Sequence, residues 1–350
     1  MNSEEEEAME DLVNKNLEIL KKNAWFSNTF DLSTLEFLGK GNYGVVFSAY
    51  HKNFKRKIAL KVIASKKERI NQVIDELINM KTLKHGNILE TLEHHLIFHK
   101  KLIFLLLIME QGHISLKDYL TERPKGMNES ELCETMKVLS SAISYAHQNK
   151  IVHCDLKPGN IILFKNSLRS DYSCYNMKIS DWGSAFQFKE FNNDSATTVK
   201  SGMNFTPIFL APELHIFEEG NEKIKKANFF AGDVYALGIT LLICAGIKLK
   251  EIGGLSGEQD KEIYNIKIKK LLEKLKKNEI SIETTDKIRR MIKFQAKKRV
   301  LPFLDEVKRE VVYNLKHFSN NFHFFKIKEP QDLIEQETIR KKLIYSLKKE

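Results

Sequence analysis

The chain has 350 residues, 42% hydrophobic and 29% charged, a composition ordinary for a globular protein and a length that admits two or three domains. Its net charge is +10, but the lysines are interleaved with Glu, Ile and Leu at helical spacing, as in residues 266–277, which describes a solvated helix face; no zinc-finger or aromatic RNA-binding signature accompanies them, and no nucleic-acid partner is expected. The four cysteines (Cys133, Cys154, Cys174 and Cys244) make neither a CxxC site nor a disulfide framework, and the longest apolar runs, 102–109 and 236–247, fall far short of the roughly 20 residues of a membrane helix, so no membrane span and a cytoplasmic or nuclear setting are expected.

In chain order, residues 1–29 read as an acidic extension. Glu4, Glu5, Glu6, Glu7, Glu10 and Asp11 open it, without the basic and apolar pattern of a signal peptide, and a short helix is expected around Leu12–Lys22. From Phe30 the pattern changes to strands. Residues 35–50 are apolar and β-branched around a glycine-rich break, which predicts strand, turn, strand; residues 57–64 predict a third. Residues 66–84 suit a helix, with Ile70, Val73, Ile74, Leu77 and Met80 on one face, and two further apolar runs end at Met109. Beyond Gly112 the chain turns helical, and residues 131–148 place Leu132, Met136, Leu139, Ile143 and Ala146 along one face. Helical patterns run from 228 to 315. The division is a strand-rich half over 30–110 and a helical half over 111–315. A tail over 316–350 follows, carrying an amphipathic helix that docks on its own domain or on a regulatory partner.

Four segments carry chemistry. Gly39, Lys40, Gly41, Asn42, Gly44 and Val46 fall in a G-x-G-x-x-G-x-V run, whose glycines let backbone N–H groups approach a phosphate; a hairpin turn would ask for the same glycines. A dinucleotide loop would lead into a helix, whereas this run continues as a strand. Lys61 lies mid-strand among apolar residues, and Glu76 on the following helix could pair with it to aim an ammonium at phosphates. Residues 153–160, HCDLKPGN, pack an Asp, a Lys and an Asn into six positions after a His. Asp155 can accept a hydroxyl proton, Lys157 can neutralise a phosphoryl group in transfer, and Asn160 offers a carbonyl oxygen to a metal ion. Asp181, in DWG after a strand, is a hard-oxygen ligand suited to Mg²⁺.

Together, and in this order, these segments resemble the signature set of eukaryotic protein kinases of the serine/threonine type, over about residues 30–310. The resemblance implies an α+β fold of two lobes, a small antiparallel sheet with one main helix and a larger, mainly helical lobe. It implies ATP and Mg²⁺ as cofactors and a protein bearing Ser or Thr as substrate. It places Ala59 and Ile162 with Val46 around adenine, Met109 behind the pocket, and the backbone of Glu110 and Gly112 on the adenine edge. It pairs Arg299 with Glu213 of the A-P-E positions Ala211–Glu213, and sets Asp233 to brace the catalytic loop. Lys157, with Thr206 before Pro207, indicates serine/threonine specificity.

Three departures stand out. Cys154 replaces the arginine that usually holds a phosphorylated activation loop, which implies less dependence on Thr197 or Thr198. Trp182 replaces the phenylalanine of D-F-G and is expected against His153 and Met80. The stretch between Asn160 and Asp181 is longer than a tight hairpin, implying a surface loop. Two other readings compete: a pseudokinase scaffold, which would typically lack Lys61, Asp155 or Asp181, and a kinase-fold enzyme acting on a small molecule, against which the segment 206–214 speaks.

Overall fold

The computed structural model describes residues 17–41, 44–66, 83–100, 102–165, 175–187, 206–217 and 228–303. The described residues fall into two compact units. The smaller takes residues 17–66 and Leu89–Gly112; the larger takes Leu83–Ile88 and the chain from His113 on. Residues 83–88 thus leave the strand-rich half in which the sequence pattern put them. Ile88 bridges Ile179, Asn87 accepts the Ile179 N–H at 2.9 Å, and the Asn87 side chain donates to the Met177 carbonyl at 2.9 Å.

The smaller unit is a five-stranded antiparallel sheet in the order β1-β2-β3-β5-β4, from β1 (Phe30–Gly41), β2 (Gly44–His51), β3 (Arg56–Lys66), β4 (Thr91–His99) and β5 (Leu102–Met109). Alternation along the strands gives the sheet two faces. One carries Val45, Phe47, Ile58, Leu60, Leu106 and Ile108 in a continuous buried core. The lid of that core comes from upstream. Residues 17–21 are helical, and helix α1 (Ala24–Thr29) starts at Asn23, whose side chain accepts the Phe26 N–H at 3.1 Å. Leu20, Phe26 and Phe30 are fully buried in the same core, and Trp25 stacks on His95 of β4 with ring centroids 3.6 Å apart. Residues 17–29 are therefore part of the unit, not an extension outside it. Residues 1–16 lie outside the described chain, as does the 67–82 part of the helix expected over 66–84.

The larger unit is mainly helical. After β6 (Ile114–Ser115) come α2 (Leu116–Thr121) and α3 (Glu129–Gln148), which opens on a reciprocal cap between Asn128 and Glu131. Its buried face holds Leu132, Met136, Leu139, Ile143 and Ala146, at the spacing the sequence predicts. β7 (Ile151–Val152), β8 (Ile161–Lys165), β9 (Tyr175–Ile179) and β10 (Phe186–Gln187) follow, arranged as the small sheets β6-β8-β9 and β10-β7. The loop expected between Asn160 and Asp181 narrows accordingly, since β8 and β9 pair up to Lys165 and Tyr175; residues 166–174 lie outside the described chain. Helix α4 (Phe229–Cys244) is apolar all round and buried all round, the centre of this core. α5 (Leu249–Ile252), α6 (Lys261–Lys277) and α7 (Ile282–Met291) follow; α3 and α7 pack against α4, and α6 packs against α7. No described helix is long and apolar enough to cross a membrane. The tail 316–350 lies outside the described residues.

Candidate active site

In the smaller unit, the end of β1 and the start of β2 pair Gly39 with Val46, Lys40 with Val45 and Gly41 with Gly44. Different demands fall on these glycines. A Cβ on Gly44 would lie 2.4 Å from the Val62 carbonyl oxygen, so the neighbouring strand itself excludes a side chain there. A Cβ on Gly39 would meet nothing within 4 Å. The protein's own packing leaves Gly39 open, which is the condition for a phosphate to come close to backbone. Asn42 and Glu76 lie outside the described residues.

Cross-strand register sets Val46, Lys61 and Leu107 side by side, and likewise Ser48, Ala59 and Met109. These six share the face opposite the buried core. Lys61 is only 3% exposed, and a lysine is rarely so buried without a partner for its charge. Ala59 and Met109 are also buried, and the Ser48 hydroxyl donates to the Gln111 side chain at 3.0 Å. Past the end of β5, the Glu110 carboxylate turns back to accept the Glu90 N–H at 3.1 Å, and Gly112 closes this unit.

In the larger unit, the loop from His153 to Asn160 is held at both ends. Asp233, in the first turns of α4 and 2% exposed, accepts the His153 and Cys154 N–H groups at 2.8 and 2.9 Å. His147, in the last turn of α3, lies 2.9 Å from the same carboxylate. His153 is fully buried. Its Nδ1 accepts the Asp155 N–H at 3.2 Å, so its Nε2 carries the proton and donates to the Ser180 carbonyl at 2.9 Å. Trp182, fully buried, sets its ring edge-on to His153 at 4.6 Å. Met80, the other neighbour expected for Trp182, lies outside the described residues.

Within this frame Asp155 is the hub. The Thr206 hydroxyl donates to its Oδ1 at 2.7 Å, the Lys157 ammonium lies 2.8 Å from its Oδ2, and the same ammonium donates to the Thr206 oxygen at 2.7 Å. Asn160 donates its side-chain amide to the Asp155 carbonyl at 2.8 Å and to Oδ2 at 3.1 Å. That fixes the Asn160 amide so that its oxygen, which takes no hydrogen bond from a described residue, is the group left for a cation. The Asn160 backbone carbonyl accepts both the N–H and the hydroxyl of Ser180, at 2.8 and 3.0 Å, so the residue before Asp181 is tied to the metal-suited asparagine. Asp181 itself adopts the left-handed conformation (φ 59°), which Asp tolerates better than most residues. Ile162 lies on β8, opposite Ser115 of β6.

Downstream, Arg299 donates to both carboxylate oxygens of Glu213, at 2.6 and 2.7 Å, and to the carbonyls of Lys293, Phe294 and Ala231. Its side chain is fully buried. A planar, bidentate pair of this kind fixes orientation as well as charge.

Residues 32–309 match the family model described as the protein kinase domain. The chain belongs to the protein kinase family. Among curated relatives, this kinase is 32% identical over 197 residues to calcium-dependent protein kinase 5 of Plasmodium falciparum, covering 56% of this chain and 32% of that one. It is 33% identical over 150 residues to the carbon catabolite-derepressing protein kinase of Saccharomyces cerevisiae (42% and 22% covered). It is 27% identical over 232 residues to myosin light chain kinase family member 4 of Mus musculus (65% and 54% covered). The chain thus spans about half or less of the length of these relatives.

The described geometry adds to what the kinase signature carries. Ser180 binds the 153–160 loop directly, through His153 and Asn160, and His147 binds Asp233, which holds that loop, yet neither stands in a motif; a histidine in a last helical turn and a serine before DWG have many ordinary uses. Cys154, at the arginine position, sits in the left-handed region (φ 66°) between Asp233 and Asp155. Burial first, then these two carboxylates, push its thiol well above the usual range, so it stays neutral where an arginine would be charged.

Proposed function

We propose that this chain is a serine/threonine protein kinase that transfers the ATP γ-phosphate to a Ser or Thr hydroxyl of a protein. The observation that supports the reading is the closed contact of Asp155, Lys157 and Thr206, in which a hydroxyl already donates to Asp155 Oδ1 while an ammonium lies against Oδ2 of the same carboxylate and donates to that hydroxyl. A substrate hydroxyl presented to Asp155 meets the same acceptor. Asp155 takes its proton as the oxygen forms a bond to phosphorus and the bond to the ADP oxygen breaks. Lys157 stabilises the charge that develops on the moving phosphoryl group.

Protein kinases use ATP and Mg²⁺, and the residues present fit both. Gly39 is open as a phosphate contact requires, and Asn160 keeps its amide oxygen for a cation. Mg·ATP supplies the phosphoryl group and neutralises its charge. Asn160 and Asp181 would hold the metal. Gly39, Lys40, Gly41, Asn42 and Gly44 would cover the phosphates, and Lys61, oriented by Glu76, would reach them. In the smaller unit Val46 and Ala59 would contact adenine with Met109 behind it, and the backbone of Glu110 and Gly112 would meet its polar edge, apolar contacts with few polar ones; the kinase resemblance gives Ile162 of the larger unit an adenine contact as well. The kinase domain is bounded in this reading at 30–315, and its substrate class follows from Lys157 and Thr206.

The test is transfer of γ-labelled phosphate from Mg·ATP to casein or myelin basic protein, beside an Asp155→Asn variant. Label on Ser or Thr that falls roughly 10²- to 10⁴-fold in the variant supports the assignment. Equal label in both removes Asp155 from its role. No transfer with intact ATP binding makes the chain a scaffold.

A further inference from the structure

Between α6 and α7, away from the residues described above, lies a cavity of about 550 Å³, within the range of sites that hold ligands, about 300–1,000 Å³. Its rim is basic. Lys261, Lys269 and Lys276 of α6 and Lys293 and Lys298 beyond α7 line it, and none of the five has an acidic partner among the described residues. Arg289 adds a sixth cation, engaged by Asp286, and Glu273 is the one acid in the lining. Its floor is aliphatic, from Ile268, Leu272 and Ile292, all buried.

A second observation points to a ligand. Thr285 lines the cavity at 8% exposure, and its buried hydroxyl has no hydrogen-bond partner among the described residues. A buried hydroxyl left unmatched destabilises the fold, and an incoming acceptor would relieve that. The far wall is pre-set: the Tyr264 hydroxyl donates to the Ile292 carbonyl at 2.7 Å, and Arg299, paired with Glu213, holds the carbonyls of Lys293 and Phe294.

The spacing of the charges selects the class of ligand. Lys261 and Lys276 are fifteen residues apart on one helix, about 22 Å at 1.5 Å per residue. A single phosphate cannot span that distance, whereas a chain of anions can. A nucleic acid strand would ask for open aromatic platforms on which its bases stack; of the two rings in the lining, Tyr264 is buried and packs edge-on against Phe294 with centroids 5.3 Å apart, and the rest of the floor is aliphatic. We propose that this groove is a docking site for an acidic peptide segment of a partner or substrate protein, whose Asp and Glu side chains meet the lysine rim, whose aliphatic side chains meet Ile268, Leu272 and Ile292, and one of whose acceptors takes the Thr285 hydroxyl. The assignment does not depend on phosphoryl transfer.

The experiment is fluorescence anisotropy on the full chain with a fluorescein-labelled peptide of repeating Asp-Glu-Leu, beside its Asn-Gln-Leu counterpart and a labelled oligouridine. The acidic peptide is expected to bind, to weaken as salt rises, and to lose roughly ten-fold or more in affinity in a Lys269→Glu, Lys276→Glu variant whose melting temperature is unchanged. Thr285→Val removes the unmatched hydroxyl without changing its shape, so it should leave stability equal or higher while weakening the peptide several-fold, a combination that a purely structural threonine does not produce. Equal binding of the neutral peptide, or an acidic peptide indifferent to the charge reversal, overturns the proposal; tighter binding of the oligouridine reassigns the groove to nucleic acid.

Discussion

Asp233, itself buried, accepts the His153 and Cys154 N–H groups and lies against His147, so its carboxylate closes three contacts. Asp233→Ala leaves those donors buried without an acceptor, and a loss on the order of 3–5 kcal/mol is expected, measured by denaturant unfolding; a loss under 1 kcal/mol would show that water replaces the carboxylate. Cys154 gives the opposite kind of expectation. Burial and two carboxylates hold it as a thiol, so iodoacetamide at neutral pH should label it far more slowly than it labels free cysteine, in the native chain only, as read by peptide mass spectrometry. At this scale much was legible beforehand, because phosphoryl-transfer chemistry concentrates Asp155, Lys157 and Asn160 in six consecutive positions. The Thr206 hydroxyl between Asp155 and Lys157, and the contacts of His147 and Ser180, join positions 20 to 86 residues apart. Spacing within a segment says nothing of such contacts.

The strands of the smaller unit could be read from alternation, and α3 from its three- and four-residue repeat, because each pattern is the imprint of the face that the element buries. What covers the rear of the sheet could not be read in the same way. A helical stretch with Leu20, Trp25 and Phe26 announces that it must bury something, without announcing against which surface. Phe26→Ala is expected to cost about 3–5 kcal/mol of stability, comparable to other buried aromatic truncations. A neutral effect would show that this helix is dispensable to the sheet. The contact is also expected to respond to acid. Burial holds the imidazoles of His95 and His51 below their ordinary 6.5, with Glu93 partly opposing this at His51. The folded chain therefore binds fewer protons than the unfolded one. Stability is fully present above pH 6.5 and is lost as pH falls through and below it. Titration of Trp25 emission, in a chain with Trp182 replaced by Phe, should show its environment opening below pH 6.5, and His95→Phe should flatten that change.

Taken whole, the molecule is legible as a strand-rich part followed by a helical part, since composition switches near residue 111. The exception is Leu83–Ile88, which follows hydrogen bonds to β9 and not its place in the sequence. On the proposed function, saturating Mg·ATP should raise the melting temperature, by the equivalent of about 2.7 kcal/mol at one hundred times its dissociation constant. Asp181→Asn should abolish the magnesium-dependent part of that shift. An undiminished shift would remove Asp181 from the metal site. The cover on the sheet also bears on how the chain is made. Trp25 stacks on a histidine about seventy residues further along, and Phe26 shares its core with β5. On a ribosome these aromatic residues emerge well before the surface they belong to, and at 5–20 residues per second the wait lasts several seconds. For that interval a greasy helix has no home, and the cell must keep it from finding a wrong one.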